Sequence, residues 1–212
     1  MINTKKTDDF TAIITGRRSI RAYDPTVKIS KEEMTEILTE ATLAPSSVNM
    51  QPWRFLVIDS AEGKAKLAPL AKFNQRQVET SAAMIAVFGD LNNFENGEEI
   101  YGKAVELGYM PLDVKESQME KLTAYFSTVS REEMKDVVLI DAGLAAMQLM
   151  LSARAHGYDT CPIGGYEKDK IAEAFGLDKD RYVPVMLISI GKAAYSSHQS
   201  VRLPIDKIAQ WK

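Results

Sequence analysis

One cysteine and two histidines in 212 residues leave little material for several kinds of chemistry. Cys161 has no second thiol to pair with, so an internal disulfide is excluded and a reducing cytoplasm is the simplest compartment. A soft-ligand metal centre would have to be assembled from Cys161, His156 and His198 alone, so no metal site is expected. Cys161 as a nucleophile competes with a plainer reading, a small buried residue beside a loop. The chain has no Gly-x-Gly-x-x-Gly fingerprint and no Gly-x-Ser-x-Gly elbow. Gly191-Lys192 follows an apolar run, but no glycine lies five residues upstream and Ala193 comes next, so it is not a P-loop. Positive charge is not in excess either. Lys and Arg number 26 against 29 Asp and Glu, a formal net charge of −3, which provides no global field for nucleic acid. No apolar run reads as long enough to cross a bilayer. The opening MINTKKTDDF has two lysines but no apolar segment of the signal-peptide type behind them.

What is present reads as one globular domain spanning residues 1–212, with 45% hydrophobic and 26% charged residues. Residues 8–15 read as a helix ended by Gly16. Ser30-x-x-Glu33 reads as a capping box before Met34, Ile37, Leu38 and Ala41 at helical spacing, and Pro45 stops that helix. Apolar runs at 53–59, 82–90 and 183–191 read as strands. Residues 61–81 read as largely helical around Leu67, Leu70 and Phe73. Residues 91–128 are polar, with Phe94, Tyr101, Tyr109, Tyr125 and Phe126 scattered through them, and read as short helices with a mobile segment. A second capping box, Ser130-x-x-Glu133, opens a helix over 131–156. Between Leu139 and Ala155 only Asp141, Gln148, Ser152 and Arg154 interrupt its apolar character. A helix apolar all round is expected to be buried all round, and in a chain of this size an obligate dimer would supply the second wall. Gly157 is placed to cap it. DTCPIGGY reads as a loop, EKDKIAEAF as a short helix with Gly176 behind it, and VRLPIDKIAQWK as a tail, first extended and then helical. The order of elements points to an α+β fold around a small mixed or antiparallel sheet.

Four segments carry chemistry. Arg17, Arg18, Ser19 and Arg21 are the densest cationic cluster, and guanidinium forks with a hydroxyl suit phosphate oxygens; the competing reading is a solvated charged turn. The stretch from Ala41 to Trp53 is uncharged and offers Ser46, Ser47, Asn49 and Gln51, suited to a flat ring rich in heteroatoms; alternatively it is a proline-stiffened turn that satisfies its own backbone. CPIGGY has two glycines where backbone could approach a ligand face, or simply turn. Arg202 is either a further phosphate donor or a surface residue. Together they suggest a cofactor with a phosphate and a ring, and no reactive protein side chain.

These segments resemble the nitroreductase family of flavoproteins. The similarity lies in RRSIRAYDP, APSSVNMQPWRFLVI, FNQRQVETSAAMIAVFGD, DAGLAAMQLMLSARAHGYDTCPIGGY, FGLDKDRYVPVMLISIGKA and RLP, in that order, from about Ile14 to Pro204. The resemblance implies an α+β homodimer with a long buried central helix, holding noncovalent FMN at two interface sites. By position, Arg17, Arg18, Ser19 and Arg21 match the segment at the FMN phosphate and flavin edge, with Arg21 near the N1/O2 side. Pro45, Ser46, Ser47 and Asn49 match a loop donated by the other subunit. Asn74 and Gln77 match positions beside the ring, where many relatives carry a basic residue in place of Gln77. Pro162, Ile163, Gly164 and Gly165 match the loop against one flavin face, which delivers a backbone N–H toward N5. Arg202 matches a phosphate-binding arginine. Two departures stand out. Ser200 replaces a lysine found in some relatives, so one phosphate contact is either lost or taken over by Lys192. Gly164 replaces an acidic residue of some relatives. The resemblance further implies an enzyme that uses NAD(P)H to reduce nitroaromatics, quinones or similar small-molecule acceptors by a ping-pong mechanism, with no catalytic side chain. Residues 91–128 would form a lid, with Lys103, Lys115 and Lys121 available to a 2′-phosphate, and about 196–212 would pack on the partner. The alternatives are dehalogenation or flavin destruction on the same scaffold, or a flavin-binding redox sensor without turnover.

Overall fold

The computed structural model describes residues 6–212, so the first five residues of the N-terminal reading lie outside the described residues. The Asp9 carboxylate accepts from the Ala12 N–H (3.1 Å) and starts α1 (Phe10–Gly16). Ser30 caps α2 (Lys31–Ala41) by accepting from the Glu33 N–H at 3.1 Å. The reciprocal half of that box is absent, because Glu33 Oε2 instead accepts from Tyr158 Oη at 2.6 Å. Then follow β1 (Trp53–Ile58), α3 (Ala61–Leu67), α4 (Gln75–Thr80) and β2 (Ala83–Asp90). The largely helical stretch expected over 61–81 is divided into α3, two 3-10 turns and α4, with Pro69 in the first turn and Ala71 at φ −118°, ψ 47° between them.

Residues 91–128, expected as short helices with a mobile segment, form a 3-10 turn, α5 (Gly97–Glu106) and the 15-residue α6 (Leu112–Phe126). Phe94 and Phe126 stack at 4.6 Å and close this excursion back on itself. The second capping box is complete: Ser130 Oγ accepts from the Glu133 N–H, and the Glu133 carboxylate accepts from the Ser130 N–H at 2.8 Å. It opens α7 (Arg131–Ala155). Gly157 at φ 80° ends α7 in a Schellman turn, its N–H donating to Arg154 O and that of Tyr158 to Ala153 O.

The next segment corrects a sequence expectation. DTCPI is not loop but β3 (Asp159–Ile163), which pairs with the later β4 (Tyr182–Gly191). Pro162 hid it, since proline suits only an edge strand, and β3 is an edge. Between them lies α8 (Lys168–Ala174). The tail shows one 3-10 turn at Ile205–Lys207 and no longer helix.

The sheet runs β1-β2-β4-β3, antiparallel throughout. Alternation along β2 feeds two cores. Ala83, Ile85 and Val87 face α2 and α7, while Met84, Ala86 and Phe88 face Leu67, Val78, Ile171 and Ala172. Covering both faces explains why β2 is a continuous apolar run. At Gly89 a Cβ would meet Val138 Cγ2 at 2.6 Å, so the close seat of α7 on β2 requires glycine there.

At 25 residues α7 is, contrary to the sequence reading, long and apolar enough to cross a membrane by length and composition. Its place is that of a core helix: Val138, Ala142, Ala145, Ala146, Leu149 and Ala153 are fully buried under the sheet. It is not buried all round within the chain, because Ile140 (66% exposed), Leu144 and Met147 form a bare stripe at spacings of four and three.

Candidate functional site

The arginine segment is extended, and alternation sorts its side chains. Ile20 and Ala22 point inward and are buried, while Ser19 and Arg21 point out. Backbone bonds strap it to the rest of the fold: Ser19 bridges Thr160, the Ile20 N–H donates to Thr160 O (3.0 Å), and the Asp24 N–H donates to Lys192 O (2.8 Å). Buried Tyr23 anchors it through an Oη···Ser189 Oγ bond of 2.7 Å. The tail returns beside it, so that Arg17, Arg18, Ser19 and Arg21 share one cleft of about 470 Å³ with His198, Ser200 and Arg202. Arg17, Arg18, Arg21 and Arg202 pair with no carboxylate among the described residues. Arg18 donates only to backbone, Thr15 O and Arg17 O, and Arg202 to its neighbour Val201 O. Cations converging on one cleft without a counter-charge repel one another until an anion enters. Lys192 takes no place in this cleft: it bonds Gly157 O and sits 4.3 Å over the Tyr158 ring, whereas Ser200 lines the cleft.

Arg21 also lines a second cleft of about 330 Å³, with Phe73, Asn74, Gln77, Cys161 and residues 162–165. The two clefts therefore adjoin through one guanidinium. Apart from Arg21 the second cleft is uncharged. Gln77 Nε2 donates to Asn74 Oδ1 (3.2 Å), and Asn74 Nδ2 donates to Gly165 O (2.9 Å), so the two amides tie the Gly164–Gly165 segment that follows β3 to the start of α4. A Cβ on Gly164 would meet no protein atom within 4 Å, so no crowding within the chain demands glycine there and the space beside it is open. Burial pushes the Cys161 thiol up, and the nearby Arg21 and Arg17 charges with the Ser19 and Gln77 side chains offset only part of it.

Phe73 corrects the sequence reading. Rather than joining Leu67 in the core it is 95% exposed, on the rim of this cleft. Tyr195, His198 and Gln199 also line the arginine cleft, and sequence reasoning missed them. They lie in irregular chain with no periodicity to reveal them; Tyr195 is marked only by Arg76, which stands 5.5 Å over its ring.

The third piece stands apart. Pro45, Ser46, Ser47 and Asn49 line neither cleft. Their loop makes a 3-10 turn over Ser47–Asn49 and lies against α7, where the Ser47 N–H donates to Asp141 Oδ2 at 2.9 Å. Trp53 is buried and begins β1, as its position at the end of the loop suggested.

A cleft of unpaired arginines abutting an otherwise uncharged cleft of amides, glycine and proline could take a ligand that carries both an anionic group and a polar ring. The profile of the Nitroreductase family matches residues 14–192, and the chain belongs to that family. It is 70% identical over 207 residues to YdgI of Bacillus subtilis, provisionally named an NAD(P)H nitroreductase, covering 98% of this chain and 99% of that one. It is 35% identical over 196 residues to the CLA biosynthesis enone reductase of Lactiplantibacillus plantarum, covering 92% and 90% respectively. Among solved structures, a provisionally assigned nitroreductase of Exiguobacterium sibiricum in complex with FMN superposes with a TM-score of 0.97 at 66% identity, over 99% of this chain and all of the other.

Proposed function

We propose that the chain is an FMN-dependent NAD(P)H oxidoreductase that reduces nitroaromatics, quinones or similar small acceptors in a ping-pong order. The observation that carries this reading is the pair of adjoining clefts: four arginines without acidic partners in one, and a neutral, amide-lined space in the other, joined at Arg21. The group fits the residues. Arg17, Arg18, Ser19 and Arg202 would hold the phosphate, with Ser200 rather than Lys192 beside them. Arg21, at the junction, would offset negative charge on the ring edge. Asn74 and Gln77 would hold the Gly164–Gly165 segment at the end of β3 so that its backbone faces the ring. When bound, FMN would supply the redox chemistry, hydride and electron transfer between NAD(P)H and an acceptor. In the ring cleft burial disfavours the thiolate of Cys161, and His198 lines the arginine cleft rather than the ring cleft.

The working unit is a homodimer. The bare stripe Ile140, Leu144 and Met147 needs a cover, and the Pro45–Asn49 loop sits on α7 beside that stripe rather than in its own chain's clefts. A second copy packed on the stripe would receive this loop at its flavin. The tail from 196 to 212 would pack on the partner, since Val201, Leu203, Ile205, Ile208 and Trp211 are all exposed. Residues 91–128 would form the lid. A single buried thiol agrees with a reducing cytoplasm. The 35% identity to an enone reductase supports a second acceptor class, activated enones.

The test is an anaerobic absorbance titration of the purified protein. Flavin bands bleached by NADPH or NADH and restored by a nitroaromatic, a quinone or an enone are expected, and the restoring acceptor identifies the class. Protein that stays colourless and takes up no added FMN would remove the proposal.

A further inference from the structure

Asp141 is a carboxylate only 3% exposed, on a stretch of α7 that is otherwise small and apolar. Both of its oxygens are used by one residue: Oδ2 accepts from the Ser47 N–H at 2.9 Å, and Oδ1 from Ser47 Oγ at 3.2 Å. The loop it holds is bent against its own preferences. Val48, Asn49 and Gln51 have φ of 45°, 57° and 49°, and for a β-branched residue such as Val48 the left-handed region is a genuine outlier. Such strain persists only where the surroundings impose it. Here they do so from several sides. Gln51 N–H donates to Ser46 Oγ (3.0 Å), Tyr101 Oη of α5 to Val48 O (3.1 Å), Asn96 Nδ2 to Met50 O (3.1 Å) and Arg54 Nη1 to Gln51 O (3.1 Å). Those bonds fix the outer half of the loop. Asp141 alone ties its Ser47 end to the central helix.

A buried ionised group with a single neutral partner is poorly matched to stability. Burial disfavours its charged form, and the two Ser47 bonds offset only part of that cost. An apolar residue of similar size would suit the packing of α7 against the sheet as well or better. We infer that Asp141 is a positioning residue for the flavin site: it holds Ser47 and the left-handed turn behind it in the shape that a second chain's FMN meets. The inference rests on the reading of this loop as FMN-facing. It adds that Ser47 does not itself turn its hydroxyl to the ligand. Its N–H and Oγ–H both point to Asp141, and the Val48, Met50 and Gln51 carbonyls are held within the chain, which leaves the exposed Asn49 side chain to face outward.

The experiment compares the wild-type protein with Asp141→Ala and Asp141→Asn in three measurements: thermal midpoint of the apoprotein, FMN affinity by quenching of flavin fluorescence, and hydrogen exchange of the 47–51 amides in the apoprotein. In Asp141→Ala the loop amides are expected to exchange at least about tenfold faster and FMN to bind at least about tenfold more weakly, the scale of losing hydrogen bonds to a charged group. The apoprotein midpoint should stay level or rise. Asp141→Asn keeps one acceptor for Ser47 and should fall between the two on both loop exchange and affinity. Unchanged loop exchange in Asp141→Ala overturns the inference whatever FMN does, and so does a midpoint that drops in step with affinity, the sign of a merely structural role. Faster loop exchange with unchanged FMN affinity would keep Asp141 as the loop's clamp but overturn its role toward the flavin. A wild-type protein that binds no FMN removes the flavin reading itself, a result separate from the exchange measurement.

Discussion

Arg181 grips Asp90 with two parallel bonds, Nε to Oδ1 at 2.8 Å and Nη2 to Oδ2 at 2.9 Å, at the end of β2 where the Asp90 side chain has no exposure at all. Arg54 reaches the same carboxylate from β1 at 2.9 Å. The carboxylate in turn accepts from the Asn92 N–H (3.0 Å) where the chain leaves the sheet for the helices of residues 91–128. One buried anion thus joins β1, the start of β4 and the entry to residues 91–128. Removing Arg181 leaves that anion with Arg54 as its cationic partner and the Asn92 N–H as a neutral donor. Arg181→Ala should lower stability by about 2–4 kcal/mol, somewhat under the cost of leaving a buried charge wholly unpaired. For a chain of this length that is a drop of roughly 5–15 °C in thermal midpoint. FMN affinity of the folded protein should not move, because Asp90 lines neither cleft. A calorimetric scan and a flavin titration on the same variant check both halves, and an unchanged midpoint would contradict the account.

The arginine cleft predicts a difference between two ligands that share one ring. Arg202→Met keeps the length of the side chain and removes its fork. FMN should bind about 10–100 times more weakly, the range for losing one or two charge-assisted bonds to phosphate. Riboflavin, which has the ring and no phosphate, should bind the wild type and the variant alike. Equal losses for both ligands would mean that Arg202 meets the ring or props the tail, and not the phosphate.

How much of this could be read in the sequence depended on whether a residue's partner lay nearby in the chain. Ser130 and Glu133 are three apart and form their box as written, and Gly157 ends α7 as its position indicated. Glu33, in the same spacing from Ser30, has only half of its box, because Tyr158 arrives from 125 residues away and takes the carboxylate. The β3 strand was hidden because Pro162 is a turn signal in sequence and an acceptable edge residue in a sheet, and only the pairing with β4 decides which. Arg17, Arg18 and Arg21 stood out as a charge cluster. What lifts them above a solvated turn is the alternation with buried Ile20 and Ala22 and the return of Arg202 from the tail. Phe73 looked like a core residue by spacing, and the break at Ala71 turned it outward.

Cys161 gives a prediction in pH. Burial raises its thiol above the ordinary value and neighbouring cations only partly compensate, so the thiolate fraction at neutral pH is smaller than for a free cysteine. Because the thiolate is the reacting form, alkylation of the folded apoprotein by iodoacetamide should be slow at pH 7. The raised value moves the increase in rate to higher pH, so it should still be climbing beyond pH ~9, where a free thiol with pKa near 8.5 begins to level off. Bound FMN should slow it further, since Cys161 lines the ring cleft. Mass spectrometry of the intact chain after timed quenching reads this directly. Rapid labelling at neutral pH would mean that the thiol is activated and would reopen its role in chemistry.

If a second copy covers the bare stripe on α7, assembly is tied to cofactor retention. Ile140, Leu144 and Met147 stand on the same helix as Asp141, and the Pro45–Asn49 loop hangs from Asp141 outside its own chain's clefts. A charge placed in the stripe would be desolvated by a partner and would lie in solvent in a lone chain. Leu144→Glu should therefore cost the folded monomer little, since Leu144 is already exposed, while weakening the dimer by several kcal/mol, as burying an unpaired carboxylate does. Light scattering coupled to size exclusion should move from twice the chain mass toward one. If the loop of one chain completes the flavin site of the other, FMN affinity must fall together with dimer content, and both should recover as protein concentration rises. A monomeric Leu144→Glu that retains FMN at wild-type affinity would show that one chain's two clefts suffice. The loop at Pro45–Asn49 would then need another occupant, and the shape in which Asp141 holds it another explanation.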